Sequence, residues 1–393
     1  MKYYLTCTLL LAGGIATAQE KDTTGYQFTV VKELKITPIQ NQNRSGTCWS
    51  FSGLGMVEAE LLRKGKEEVN LSEMFVVYMS YKDKAEKYVR LHGDGIFSPG
   101  GSFEDVLYTM KHYGAIPEEV YTGLNYGEDM HVHGELDALT EAYVKAVIKN
   151  PNQKLSTAWQ KGFKGILDAY LGEIPETFTY KGEKYTPQSY AAALDFNTGD
   201  YVSLTSYAHH PFYTEFALEI PDNWRWATSY NLPIDELMQV FDNAVNNGYT
   251  VAWGSDVSEK GFNRDGLAIV PEVNAEDLSN SDKVRWTGLS SKERDNQLLN
   301  FYKPGHEKNI TQDMRQEAFD NYQTTDDHGM LIYGIAQDQY GTKYYMVKNS
   351  WGETGTYKGL WYASETFVKY KTMNVIVHKN ALPKAIKAKL GIK

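Results

Sequence analysis

Residues 41–52 read NQNRSGTCWSFS, and Cys48 within them is one of only two cysteines in 393 residues. A thiol attacks a carbonyl carbon well only as a thiolate. Two local devices favour that ion, the positive end of a helix and a nearby imidazolium. Cys48 stands where apolar positions at helical spacing begin, Val57, Leu61 and Leu62 among them, with Gly65 where the helix would stop. Its sulfur would face the unpaired N–H groups of a helix start. Far along the chain, DDHGMLIYGI puts His328 at the start of an expected strand, and Gly329 leaves room beside the ring. MVKNSWG puts Asn349 at the end of a later strand, next to Trp351. An Asn carbonyl accepts the second N–H of a histidine and fixes its ring, and a following Trp would shield that bond from water. Cys48 as nucleophile, His328 as base and acid, and Asn349 as orienter have the logic of thiol acyl transfer. Gln42, six residues before Cys48, could join the Cys48 backbone N–H in holding the oxyanion that forms.

The elements that must position these residues are spread along the chain. The first residues, MKYYLTCTLLLAGGIATAQE, have the layout of an export signal. Lys2 starts it, Leu5 to Ala12 are apolar, and Ala16-Thr17-Ala18 offers a small-residue cleavage site. The apolar run is shorter than the roughly 20 residues of a membrane-spanning helix. Cleavage after Ala18 removes Cys7, leaves Cys48 as the only cysteine of a mature chain beginning at Gln19, and leaves no stable membrane anchor. The expected location is outside the cytoplasm, periplasmic or secreted.

A polar, extended leader covers Lys21 to Ile39. NLSEMFVVYMSYKDKAEKYV reads as a second helix capped by Ser72, and SPGGSFEDVLYTMKHYG as a Pro/Gly loop leading into a third helix closed by Gly114. The middle, about 120–245, mixes helical runs with polar, tyrosine-rich stretches. From about 246 the texture changes to short β-like runs, with a hairpin connection at Gly341. The plan is α+β: a helical lobe at about 40–120, an insertion at about 120–245, an antiparallel β lobe at about 246–380, and a basic tail over 381–393. The formal charge is −10, or −11 once Lys2 is lost. An acidic chain repels phosphate backbones, so nucleic acid is not an expected partner.

Gln42 to Phe51, the HG at 328 and the KNSWG at 348–352 resemble the papain superfamily of cysteine peptidases, as do LSE at 71–73 and PGG at 99–101, all in the right order. The papain histidine and asparagine follow the cysteine by about 130–150 residues. His328 lies 280 residues beyond Cys48, so a large insertion separates two lobes. GYTVAWGSDVSEKGF before the histidine, and YKGLWYASETFVKYKTMNVIVHK after it, are similar to the bleomycin hydrolase/aminopeptidase C branch.

The resemblance implies a papain-like two-lobed fold and peptide-bond hydrolysis with no cofactor. It gives Cys48, His328, Asn349 and Gln42 the roles described above. It also implies that Gly100 and Gly101 line the groove and hydrogen-bond the substrate backbone, with Trp351 in support. In that branch the chain end lies in the cleft and limits cleavage to residues near a free amino end, which favours an aminopeptidase here. The branch also forms hexameric rings, so a homo-oligomer is implied. The ending NALPKAIKAKLGIK departs from the apolar, Asp-Pro-containing tail of that branch. Either it reaches the cleft or it is a solvated end, the latter somewhat favoured. An endopeptidase with an ungated cleft, or an inactive peptide-binding scaffold, are the alternatives.

Other signals are weaker. Asp326 and Asp327 either raise the pKa of His328 or are exposed turn residues. His131, His133, His209 and His210 lack the spacing of a zinc site, so no metal is expected. Asp94-Gly95 reads as a turn.

Overall fold

A computed structural model describes residues 25–150, 154–272 and 304–393. The expected signal segment, with Cys7 and the cleavage point after Ala18, lies outside those residues. No helix among the described residues is long and apolar enough to cross a membrane.

Three helices follow the nucleophile segment where the sequence reading set them: α1 (Cys48–Arg63), α2 (Glu73–Arg90) and α3 (Phe103–His112). Ser72 caps α2 by accepting from the Phe75 N–H, and the Asp105 carboxylate accepts from the Ser102 N–H at the start of α3. Gly65 and Gly114 end their helical segments at φ of 77° and 98°, a region that strains any residue with a Cβ. The middle of the chain adds α4 (Gly134–Ile148), α5 (Ala158–Leu171), the hairpin β2 (Phe178–Tyr180) and β3 (Glu183–Tyr185), and α6 (Pro187–Leu194). These share one apolar core with α1 and α2, in which Val57, Met74, Tyr81, Val144, Phe163 and Leu167 are buried.

The remaining chain builds a 10-stranded sheet. Its strands are β1 (Thr29–Glu33), β4 (Tyr201–Thr205), β5 (Glu215–Ala217), β6 (Thr228–Asn231), β7 (Val251–Ser255), β8 (Leu267–Ala268), β9 (His328–Gln337), β10 (Lys343–Lys348), β11 (Leu360–Ser364) and β12 (Thr372–His378). The order is β5-β6-β4-β12-β7-β9-β10-β11-β8, and β1 continues the β7 edge of β9. Every pairing is antiparallel except β4 with β6 and β8 with β11. The sheet expected from about 246 onward therefore also takes three strands from the middle of the chain and one from the leader.

All of β9 except its last residue is buried. Helices cover both its faces, so its sequence runs continuously apolar instead of alternating. On one side α7 (Ile234–Asn246) presents Leu237, Met238, Phe241 and Ala244, one face at 3–4-residue spacing, to a core with Trp253, Ile332 and Val347. On the other, Met56 of α1 and Phe103 of α3 meet Ala252, Leu331 and Ile376 of the sheet. Each such side chain contributes about 1.5–3 kcal/mol of burial, and this seam holds the strand of His328 against the helix of Cys48.

Three shorter helices follow among the described residues: α8 (Gln312–Asp320), α9 (Glu365–Lys371) and α10 (Lys384–Leu390). The basic tail expected in the cleft or in solvent does neither. Its apolar residues recur along α10, so Ile386 and Leu390 are buried in the α7 core, while Lys389 pairs with Glu236 at 2.6 Å.

Candidate active site

Cys48 is the first residue of α1, and its backbone N–H is one of the unpaired donors of that helix start. His328 opens β9, which lies directly against α1. Gly329 permits this approach: a Cβ there would come within 2.7 Å of Ser52 Oγ and 2.9 Å of the Phe103 ring. The room expected beside the imidazole is thus taken up by helix-to-strand packing. Cys48, His328, Gly101 and Trp49 line one cavity of about 20 Å³.

Asn349 follows β10, the neighbour of β9, and its Oδ1 lies 2.7 Å from His328 Nε2. The Ser350 backbone N–H donates to the same Oδ1 at 2.7 Å, which identifies that atom as oxygen. Nε2 of the histidine must therefore carry the hydrogen, and Nδ1 is left as the proton acceptor. Trp351 lies over the imidazole, ring centres 4.8 Å apart, and covers this bond. A buried network pins the asparagine from behind. Lys348 Nζ donates to Thr37 Oγ1 at 2.9 Å, Thr37 donates to Glu58 Oε2 of α1 at 2.6 Å, and Glu58 Oε1 accepts from the Leu71 N–H.

Gln42 is held to the asparagine segment. Its backbone N–H donates to Ser350 O at 2.8 Å, and its Oε1 accepts from Ser350 Oγ at 2.6 Å. One amide hydrogen goes to Ser45 O at 2.7 Å, which leaves the second as a donor. Gln42 itself does not line the small cavity.

The electrostatics differ from the expected thiolate–imidazolium pair. Burial pushes the Cys48 thiol up to about 12, and the charges of Asp222 and Asp326 push the same way, against the backbone N–H groups of Gly329 and Trp49. Burial likewise lowers His328 to about 4, against the Asn349 hydrogen bond and the charge of Asp327. Burial thus works against the charged form of both groups and opposes the helix terminus. The two acidic neighbours of His328 split their roles. Asp327 is exposed and favours the imidazolium, whereas Asp326 turns into the cavity and opposes the thiolate.

The glycines show what covers the site. Gly101 lies against Trp49, whose ring a Cβ would approach to 2.8 Å. Gly100 is covered by the carboxylate of Asp222, with which any Cβ would collide. Ile220 and Asp222 line the small cavity at the glycines that were expected to open to substrate, and leave little space beside Gly101. Asp222 was missed by the sequence reading, since EIPDNW carries no motif. Beyond Ile220 lies a wider groove of about 770 Å³, with Leu91, Ile96, Pro221, Trp226 and Tyr322 in its walls.

The remaining histidines fall in two groups. His131 and His133 are buried, and burial lowers each to about 4. His209 and His210 converge on Glu219 at 3.0 and 2.9 Å, three groups that could hold a metal ion. Glu219, ten and nine residues beyond the two histidines, was not singled out in the sequence.

Models of two families match the chain: the papain family cysteine proteases over residues 26–157 and the Peptidase C1-like family over residues 293–392. Aminopeptidase G of Lactobacillus delbrueckii subsp. lactis is 24% identical, over 90% of this chain and 83% of that protein. Bleomycin hydrolase of Rattus norvegicus is 25% identical, over 93% and 85%. The crystal structure of pepw from Lactobacillus rhamnosis superposes with a TM-score of 0.69 at 20% identity, covering 92% of this chain and 84% of that one. With the α+β architecture and the placement of Cys48, His328 and Asn349, these matches support a papain-superfamily cysteine peptidase of the bleomycin hydrolase/aminopeptidase C branch.

Proposed function

We propose that this protein is a cysteine aminopeptidase that removes residues from the free amino end of peptides. The observation that carries the chemistry is the 2.7 Å bond from His328 Nε2 to Asn349 Oδ1, in a histidine that shares its cavity with Cys48. Substrate binding brings the scissile carbonyl to Sγ. His328 Nδ1 takes the thiol proton as the C–S bond forms, and the carbonyl electrons move onto oxygen. The Cys48 backbone N–H and the second amide hydrogen of Gln42 hold that oxyanion. The imidazolium then protonates the leaving amine, which departs and leaves a thioester. A water, deprotonated by His328, hydrolyses the thioester and restores the thiol.

The names of the matched aminopeptidases support the amino-end restriction, and so does the cover of Asp222 over Gly100. The chemistry uses no cofactor and requires a reduced thiol. The export-signal layout of residues 1–18 supports a mature enzyme outside the cytoplasm, periplasmic or secreted. A ring-forming oligomer follows from the family resemblance. Kinetics on one fluorogenic peptide with its amino end free and then acetylated test the activity. Cleavage of the free form alone is expected. Equal cleavage of both would make the protein an endopeptidase, and cleavage of neither across a peptide panel would favour the inactive scaffold.

A further inference from the structure

The groove beside Cys48 is closed by a rigid segment. Asp105 on α3 accepts from Trp224 Nε1 at 2.9 Å and from Arg225 Nε at 2.5 Å, while Arg225 Nη2 donates to Asp83 at 2.8 Å. Asn223 bonds Leu218 O and the Ala227 N–H and carbonyl at 2.9–3.1 Å. Asp222 sits in the middle of these anchors, with its carboxylate over Gly100. The turn at Asp326 is fixed as firmly. Asp327 accepts from the Ser258 N–H at 3.0 Å and from Thr325 Oγ1 at 2.9 Å, and this turns Asp326 inward. A lid that opened freely would not need so many anchors.

The two carboxylates therefore face the cavity of Cys48, where the Asp222 backbone N–H is the one donor that Asp326 meets. Asp326 is half-buried, and its Oδ2 is shut off from solvent with no hydrogen-bond partner among the described residues. Asp222 makes no side-chain hydrogen bond among them either. The charge of Lys84 favours the Asp222 carboxylate, but the hydrogen bonds of that ammonium go to the backbone carbonyls of Ser98 and Gly100. A buried carboxylate without a partner is costly, so a pair of them around one small space fits a cationic group that arrives with the ligand. The cavity, about 20 Å³, holds one water-sized group, which is the size of an ammonium.

We propose that Asp222 and Asp326 anchor the free α-ammonium group of the substrate, while Ile220 and Asp222 block any peptide that continues past its amino end. The inference rests on the aminopeptidase reading and adds the residues that set it. The measure of amino-end selection is then internal to the groove, since α10 packs against α7 and none of 381–393 lines the cavity.

The test compares kcat/KM for an alanyl and an acetyl-alanyl fluorogenic amide in wild type, Asp222→Asn, Asp222→Glu and Asp326→Asn, each normalised to titratable Cys48 thiol. Wild type should prefer the free amine at least 100-fold. Each Asn variant should lose tenfold or more on the free amine, mainly through KM, so that the preference for it collapses. Asp222→Glu, which keeps the charge, should retain most of it. If both Asn variants keep the wild-type preference at full thiol content, the anchor is overturned while the aminopeptidase stands. If wild type shows no preference, the aminopeptidase reading fails first and the anchor with it. Should one Asn variant fail to fold, the other decides by the same criterion.

Discussion

Asn349 Oδ1, just past the end of β10, and His328 Nε2, at the start of neighbouring β9, lie 2.7 Å apart, and the bond is covered by Trp351. It fixes the tautomer that leaves Nδ1 free to accept the thiol proton. Asn349→Ala should lower kcat by roughly 10–100-fold with little change in KM, the scale of one hydrogen bond of about 1.5–3 kcal/mol to a group that becomes charged. Steady-state kinetics against Asn349→Gln and wild type check this, and an unchanged kcat would contradict the orienting role.

Lys348, one residue before that asparagine, closes the buried chain through Thr37 to Glu58 of α1. Lys348→Ala would leave the Glu58 carboxylate without its balancing cation. The expected loss is about 3–5 kcal/mol, read as a lower urea midpoint, and Lys348→Ala/Glu58→Gln should recover part of it.

Gly329 sets the distance between the helix of the nucleophile and the strand of the base. A methyl group there meets Ser52 Oγ and the Phe103 ring at 2.7 and 2.9 Å, so Gly329→Ala must push β9 away from α1. Stability should fall by about 1–3 kcal/mol, and kcat by roughly 100-fold, since a displacement near 1 Å is enough for that. A variant that loses stability but keeps kcat would show that His328 moves with the helix.

Burial raises Asp222 to about 6, Lys84 opposes this, and Asp105 and Asp327 add to it; Asp326, also raised, shares the cavity. A carboxyl whose pKa is higher folded than unfolded favours folding below its unfolded value, and that contribution is lost as pH rises through the folded one. Asp222→Asn should therefore melt above wild type at pH 7.5, and the gap should close toward pH 4. In activity the direction reverses, because only the ionised carboxylate holds an ammonium. Wild-type kcat/KM on free-amine substrates should rise through about pH 6 and fall as the substrate amine deprotonates near about pH 8.

The sequence told much about the reacting groups and little about what covers them. Cys48, His328, Gly329 and Asn349 are legible because each sits in a short segment whose local structure, a helix start or a strand end, follows from its own residues. Asp222 is not, because its place over Gly100 depends on Trp224 and Arg225 reaching Asp105, about 120 residues away. The upward push that burial gives the Cys48 thiol is hidden for the same reason. A helix start can be read from local pattern, whereas burial is a property of the whole fold, and here burial outweighs it. The strands at 201–205, 215–217 and 228–231 are too short to show periodicity, and they join the sheet only through their neighbours. The tail over 384–390 was assigned by its lysines, while Ile386 and Leu390 decide where it packs.

The central claim is that Cys48 attacks the carbonyl. The most direct measurement compares the reduced wild type with Cys48→Ala on a free-amine fluorogenic substrate. The account predicts a loss of at least about 1,000-fold in kcat, the scale seen when a nucleophile of such a triad is removed, with the fold intact by circular dichroism. A folded Cys48→Ala protein that hydrolyses the substrate at the wild-type rate would contradict it.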